Sequence, residues 1–172
     1  PDGVEGHRAN GLVPTYPRGV FHWWGDSLAE GLLVINATAS AVMTGLIWFV
    51  QIVHYPLLAK TPPERTIDTA VEHQRRTSYV VALPMAVEGI TTLALLADRP
   101  SRIAAIWPWV AAVLLAVSLG STILLSVPLH ARMARGYSPD TGRRLVLTNW
   151  PRTIAWTLRA VMMTSLVMVG LT

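Results

Sequence analysis

The stretch that decides the fold is residues 73–88, HQRRTSYVVALPMAVE. It begins as a basic segment that contains a histidine, and it turns without interruption into an apolar stretch that carries one carboxylate, Glu88. If this stretch crosses a bilayer, Glu88 lies in hydrocarbon, where an ionisable side chain is costly and marks a candidate functional site. We therefore interpret the rest of the chain around this helix.

The composition is that of a membrane protein. Of the 172 residues, 52% are hydrophobic and only 14% are charged, whereas a soluble domain carries about a quarter charged residues. The apolar residues form blocks close to the length of about 20 residues that a membrane-spanning helix needs. The sequence predicts an all-α fold, an integral membrane four-helix bundle with spans at about 29–53, 78–97, 103–128 and 152–171.

Residues 1–26 have a different character from the bundle, residues 27–172. They are rich in Gly and Pro without an apolar period, which predicts an extended N-terminal tail. Phe21–Trp24 reads Phe-His-Trp-Trp and is predicted to be an aromatic anchor at the membrane surface. Ser27 and Glu30 have the spacing of a capping box, which predicts that the first span begins there.

Short amphipathic helices are predicted at the cytoplasmic side. Tyr55 precedes Pro56, which predicts the end of the first span, because the residue before proline is disfavoured in the α region. Residues 62–76 form an amphipathic helix that either lies along the membrane or continues into the second span. A further short helix is predicted over 139–147, with Ser138 as its cap.

The basic residues predict the orientation. The net charge is +4, and most basic side chains lie in the two long connections between spans, so the positive-inside rule explains them better than nucleic-acid binding does. We therefore expect a bacterial inner-membrane protein with both termini outside the cytoplasm. The absence of cysteine excludes disulfides and thiolate metal sites. Nine basic residues are expected inside: Lys60, Arg65, Arg75, Arg76, Arg132, Arg135, Arg143, Arg144 and Arg152.

Glu88 has one candidate partner at the same depth. It lies eleven residues past Thr77, and Arg159 lies nine past Trp150, which places both backbones roughly 13–17 Å inside at 1.5 Å per residue. The sequence thus predicts a buried Glu88–Arg159 pair, since either charge alone would be costly in hydrocarbon. A structural clip and a proton-exchanging or ligand-clamping site are both consistent with such a pair.

Three histidines are predicted to lie at the cytoplasmic end of the bundle. His54 and His130 lie at comparable depth on different spans, as an axial pair of haem ligands would, although no His-x3-His or Glu-x-x-His spacing supports a metal site. Histidines at this depth also bind carbonyls or lipid headgroups. The candidate catalytic residues are Glu88, Arg159, His54 and His73, and haem, a quinone or a pigment remain open as cofactors.

A basic rim is predicted beside these histidines. Its side chains could bind anionic lipid headgroups or a phosphate-bearing substrate, although the positive-inside rule alone also predicts them. The rim consists of Arg75, Arg76, Arg132 and Arg152.

Several motifs resemble a set of small, uncharacterised bacterial four-span membrane proteins. They are residues 51–56 (QIVHYP), His73-x-x-Arg76-Thr77, Pro84-x-x-x-Glu88 and residues 148–156 (TNWPRTIAW). The resemblance covers about residues 45–165 and implies the four-span fold without an activity. The topology is also loosely similar to that of anthrone-oxygenase-like membrane proteins.

Two functions are consistent with the sequence. The first is an accessory or structural subunit of a larger membrane complex, such as an electron-transfer complex, with other membrane subunits and lipids as partners. The second is a small membrane oxidoreductase, or a quinone- or haem-interacting enzyme, that uses the His, Glu and Arg residues. The sequence does not decide whether the chain is an enzyme.

Overall fold

The computed structural model describes residues 19–136 and 138–171, with side chains for residues 26–136, 138 and 140–171. Within these residues the fold is all-α, as predicted, and contains no strand. Two π-helical segments, Val50–His54 and Thr122–Ser126, connect α1 to α2 and α4 to α5. The seven α-helices are α1 Gly19–Phe49, α2 Tyr55–Leu58, α3 Thr66–Ala97, α4 Ile106–Ser121, α5 Val127–Met133, α6 Pro139–Thr148 and α7 Trp150–Gly170.

Four helical rods are long and apolar enough to cross a membrane. They agree with the four predicted spans, but they extend further at the end of the bundle where the histidines lie, which we call the histidine end. The rods are Asp26–Leu58, Pro63–Ala97, Ile106–Met133 and Asp140–Gly170, and we call them spans one to four.

The predicted start of span one is wrong. Helix α1 begins at Gly19, so Ser27 and Glu30 lie inside the helix and do not cap it. The capping-box pattern needs only two residue types, and the backbone N–H groups that it would satisfy are already bonded within a longer helix. Of the predicted tail, residues 1–18 and the side chains of Phe21–Trp24 lie outside the described residues.

The predicted end of span one at Tyr55 is also wrong. The Tyr55 N–H donates to the carbonyl of Val50, five residues back, which is the π-helical pattern, and the chain continues as α2 to Leu58. Pro56 has no N–H for an α-helical bond, and its ring would clash with the carbonyl four residues back. The wider π turn accommodates the proline without breaking the rod.

The remaining connections follow the predictions more closely. Residues 62–76 do not form a separate helix: from Thr66 onward they are continuous with span two in α3. Helix α6 covers the predicted 139–147, with Ser138 at the N-cap position but without a side-chain cap hydrogen bond. It packs so closely on the end of α2 that a Cβ added at Gly142 would lie only 2.8 Å from the Cβ of Ala59.

The distribution of polar residues is reversed relative to a water-soluble bundle. Apolar side chains such as Leu83 and Leu124 are more than 70% exposed on the outside of the rods. The interior instead holds a polar layer between apolar clusters. Its fully buried or nearly buried members are Asn36, Ser40, Glu88, Thr91, Thr92 and Arg159.

Candidate functional site

The predicted pair of Glu88 and Arg159 is present. The Nε of Arg159 donates to Oε1 of Glu88 over 3.2 Å, and both side chains have 0% exposure. Glu88 lies on α3 and Arg159 on α7, one turn beyond Trp156. The depth estimate from helix rise therefore placed the correct acid opposite the correct base.

Neighbouring side chains satisfy both members of the pair. Ser40 donates to Oε1 of Glu88 over 2.5 Å, and the indole N–H of Trp156 donates to Oε2 over 2.9 Å. Arg159 donates in addition to Asn36 Oδ1, Thr92 Oγ1 and the carbonyl of Ala111. This buried ion-pair cluster joins spans one, two, three and four. Because every buried polar side-chain atom of this cluster has a hydrogen-bond partner, its geometry favours the structural-clip interpretation.

Three histidines meet at the other polar site, which was predicted only as a common rim. His54 Nε2 lies 2.6 Å from His73 Nδ1, and the ring of His73 lies 4.8 Å from that of His130. His73 thus lies between the other two rings. An axial haem pair of His54 and His130 would require His73 to leave this position, so the arrangement does not favour that interpretation.

Tyr55 and Arg152 complete this group, which we call the histidine cluster: His54, Tyr55, His73, His130 and Arg152. Arg152 donates to the Tyr55 hydroxyl over 3.0 Å, and that hydroxyl lies 2.8 Å from Nε2 of His130. Since a guanidinium has no acceptor, the hydroxyl accepts from Arg152 and donates its own proton to Nε2. Neutral His130 therefore carries its proton on Nδ1, which is buried and has no hydrogen-bond partner in the part of the chain that the structure describes.

A network of amides holds Arg152 in place. Asn149 accepts from Nε of Arg152 over 2.9 Å, and its own Nδ2 donates to Gln51 Oε1 over 2.7 Å. Arg152 also donates to Thr122 over 3.3 Å. Asn149 occupies the N-cap position of α7 but makes no cap bond, because its side-chain oxygen binds Arg152 instead.

A cavity of about 660 Å³ opens beside the histidine cluster. Its polar part is formed by Tyr55, His73, Thr122, His130 and Arg152 at the histidine end. The apolar part extends along the rods towards the buried ion-pair cluster, although Glu88 and Arg159 do not line it. The apolar lining includes Met43, Leu46, Ile47, Val81, Met85 and Trp156.

The sequence did not identify the cavity, and it placed Tyr55 at the cytoplasmic end and Ser126 on a polar face of the third span without assigning either a role. Tyr55 was interpreted as a helix end, although its hydroxyl is the link between His130 and Arg152. Ser126, in the second π-helical segment, lines the cavity and is 2% exposed, and its hydroxyl has no partner. The only sequence feature that pointed to an irregular helix at these positions is the proline after each π-helical segment, Pro56 and Pro128.

The four arginines of the predicted rim do not form a common surface. Arg75 and Arg76 are exposed and share Glu72 as an ion-pair partner, with distances of 2.7 and 2.5 Å. Arg132 is exposed. Only Arg152 is buried, at 5% exposure, and Arg75 and Arg152 are the two that line the cavity.

The described residues contain no group of three or more His, Cys, Asp or Glu arranged to hold a metal ion. His54 and His73 direct ring nitrogens at each other, and Nε2 of His130 faces the Tyr55 hydroxyl. The histidine cluster therefore consists of two hydrogen-bonded groups, His54 with His73 and His130 with Tyr55 and Arg152, which meet where the rings of His73 and His130 pack together. Each neutral imidazole has one donor and one acceptor, so each group can hold a proton.

Comparison with known proteins gives no match: no protein-family model, no curated protein and no solved structure matches the chain. The resemblance to small four-span bacterial proteins thus remains a prediction.

Proposed function

We propose that this chain is a multi-pass membrane protein that binds one membrane-soluble amphiphilic molecule in the cavity beside the histidine cluster. The observation that carries the proposal is the cavity itself. Its volume of about 660 Å³ is that of a small-molecule site, for which roughly 300–1,000 Å³ is usual. Its polar and apolar parts are separated along the rods, as the two ends of an amphiphile are.

Insertion in a membrane is supported by the reversed polarity of the bundle. Exposed apolar side chains such as Leu83 and Leu124 would contact lipid, where the hydrophobic effect no longer opposes their exposure. Buried polar groups then hold the spans together, and Asn36 and Ser40 do so from span one. The apolar part of the cavity would lie within the hydrocarbon, and its polar part near the headgroups.

The histidine end is proposed to face the cytoplasm. The connections at that end and their flanks carry nine of the fourteen basic residues, which the positive-inside rule places inside. The sequence before span one and the turn between spans two and three carry four: Arg8, Arg18, Arg99 and Arg102. Both termini would then lie outside, and α6 would lie at the cytoplasmic surface. A bacterial inner membrane rests on the resemblance and stays a prediction.

The two functions considered from the sequence, an accessory subunit and a membrane oxidoreductase, both remain predictions, and each is compatible with a ligand in the cavity. A quinone is one amphiphile that the cavity could hold; if this chain is an oxidoreductase, His54 and His73 would supply protons for the reduction, and a separate redox donor would supply the two electrons. The accessory-subunit function is compatible with a bound lipid. The native mass of the solubilised protein tests it, because a stable partner would add mass and a lone chain would exclude it.

Filling the apolar part of the cavity tests the proposal. Val81→Trp places an indole in the lining, whereas Leu83→Trp makes a similar change on the same helix at a side chain that is 71% exposed and outside the cavity. Both variants and the wild type are purified from native membranes in a neutral detergent, and the co-purified lipophilic molecules are measured by mass spectrometry. Met85→Trp, also in the lining, serves as a second filling variant.

We expect one species at near one-to-one stoichiometry in the wild type and in Leu83→Trp. In Val81→Trp the amount of this species per protein should fall by at least about tenfold, because the indole takes the space of the apolar part of the ligand. A wild type that carries only bulk membrane lipid in non-stoichiometric amounts would refute the proposal. Undiminished binding in both folded filling variants would also refute it.

A further inference from the structure

The buried charges of the described residues do not balance. Three charged side chains are buried: Glu88, Arg152 and Arg159. Glu88 and Arg159 neutralise each other. Arg152 forms no ion pair with any described residue, so the interior of the bundle carries one excess positive charge.

The partners of Arg152 are neutral. Its guanidinium makes four hydrogen bonds: one to Tyr55, one to Thr122 and two to Asn149. These satisfy four of its five N–H donors but supply no negative charge. A buried cation without a counter-ion is strongly destabilising, because hydrogen bonds to amides and hydroxyls replace only part of its hydration.

Two residues that line the cavity beside Arg152 carry buried polar atoms without a hydrogen-bond partner among the described residues. His130 is 8% exposed, and its Nδ1 has no hydrogen-bond partner and, in the tautomer set by Tyr55, carries the proton. The Ser126 hydroxyl is buried and also has no partner. An occupant with hydrogen-bond acceptors at this end would satisfy Arg152 and, after small rotations of the two side chains, His130 and Ser126 as well. The lining includes no carboxylate that could do so from the protein.

The lining at the other end of the cavity indicates the chemistry of the rest of the ligand. From His73 to Met85 along α3 the lining extends twelve residues, which is about 18 Å at 1.5 Å per residue. Over this distance it changes from histidine and threonine to valine and methionine, and it ends near Trp156. The indole N–H of Trp156 is committed to Glu88, so the face towards the cavity is apolar.

We infer that the occupant is an anionic amphiphile, with an acidic headgroup held by Arg152, His130 and Ser126 and an apolar chain that extends towards Trp156. This inference rests on the proposed function and names the ligand class of that cavity. The acidic headgroup supplies the counter-ion to Arg152 that the described residues of the protein do not provide. A fatty-acid carboxylate and a lipid phosphate share this chemistry.

Competition binding with matched probes tests the inference. Tritium-labelled palmitate is bound to the purified protein in a neutral detergent and displaced with hexadecyl phosphate, hexadecanol or inorganic phosphate. We expect palmitate or hexadecyl phosphate to bind at least about a hundredfold more tightly than hexadecanol, because only the anions neutralise Arg152. The stronger of the two anions identifies the headgroup. Inorganic phosphate alone should compete weakly.

Arg152→Gln should weaken binding of the anionic probe by about ten- to a hundredfold. Arg76→Gln is the control: Arg76 is exposed, is paired with Glu72 and is not part of the described cavity lining, so we expect a change below about threefold. Without ligand, Arg152→Gln should unfold at the same temperature as the wild type or higher, since an unpaired charge is removed. If it does not fold, Ser126→Ala provides the second variant and should weaken binding by about threefold.

Equal affinity for hexadecanol and palmitate would overturn the inference and leave the proposed function intact, because a neutral amphiphile would still occupy the cavity. Equal affinity for inorganic phosphate and hexadecyl phosphate would show that the apolar chain of the ligand does not contribute to binding, which would overturn the inference of an amphiphile. If no probe binds and the native protein carries no stoichiometric molecule, both the inference and the proposed function fail.

Discussion

At the scale of single residues, the ion pair was predictable because membrane burial restricts ionisable groups so severely. One acid and one base at similar depth have few alternatives to pairing. The fine detail was not predictable. Helix rise gives the depth of Glu88 and Arg159, but it does not say that Ser40 and Trp156 would complete the coordination of the carboxylate. Those contacts depend on how the spans are rotated about their axes.

Breaking the ion pair from either side should be costly. Glu88→Gln or Arg159→Gln leaves one charge buried without its partner, which should lower the free energy of unfolding by about 3–5 kcal/mol. The double variant should lose less than the sum of the single variants, with a coupling of about 0.5–3 kcal/mol. Denaturant titration of the detergent-solubilised protein measures these values.

Arg76→Gln is the matched control, because it removes an exposed ion pair with Glu72 and should cost no more than about 1 kcal/mol. A Glu88→Gln variant as stable as this control would contradict the structural role of the pair. Loss of the co-purified ligand from a stable Glu88→Gln variant would indicate that the carboxylate also acts on the ligand.

At the scale of the elements, the existence and type of the helices were predictable from long apolar segments, but their ends were not. The predicted capping box at Ser27 and the predicted stop at Tyr55 both lie inside span one. A capping pattern or a residue before proline is compatible with a helix end, but it does not show that a helix ends there. Where the helix ends depends instead on how the apolar rod packs against its neighbours.

The two π-helical segments show how proline was accommodated instead. Val50–His54 precedes Tyr55-Pro56, and Thr122–Ser126 precedes Val127-Pro128. In each case the residue before proline donates to a carbonyl five residues back. Both segments border the cavity, through Val50 in one and through Thr122 and Ser126 in the other. The widened turns thus coincide with the proposed binding site, as π-bulges frequently do.

At the scale of the whole molecule, the sequence predicted that the histidines and arginines share one end of the bundle, because chain direction alternates between spans. It did not predict the cavity. The volume of such a cavity depends on how the rods cross and on which side chains leave space unfilled, and neither quantity follows from periodicity. For the same reason, the separation of buried Arg152 from exposed Arg76 and Arg132 emerged only from the structure.

The orientation of the molecule is testable because the sequence contains no cysteine, so an introduced one is the only thiol. Glu64→Cys lies at the start of span two at the histidine end, and Ala104→Cys lies between spans two and three at the other end; both positions are exposed. In intact cells a membrane-impermeant maleimide should label Ala104→Cys, and Glu64→Cys only after permeabilisation. The reverse pattern would contradict the proposed orientation.

The central claim is that the cavity holds an amphiphile with its polar end at Arg152. An experimental structure of the protein purified from native membranes into lipid nanodiscs tests it most directly. The account predicts elongated non-protein density along the lining from His73 to Met85, with its head within hydrogen-bond distance of the Arg152 guanidinium and of His130 Nδ1. A cavity closed by side chains, or one containing only water, would contradict it.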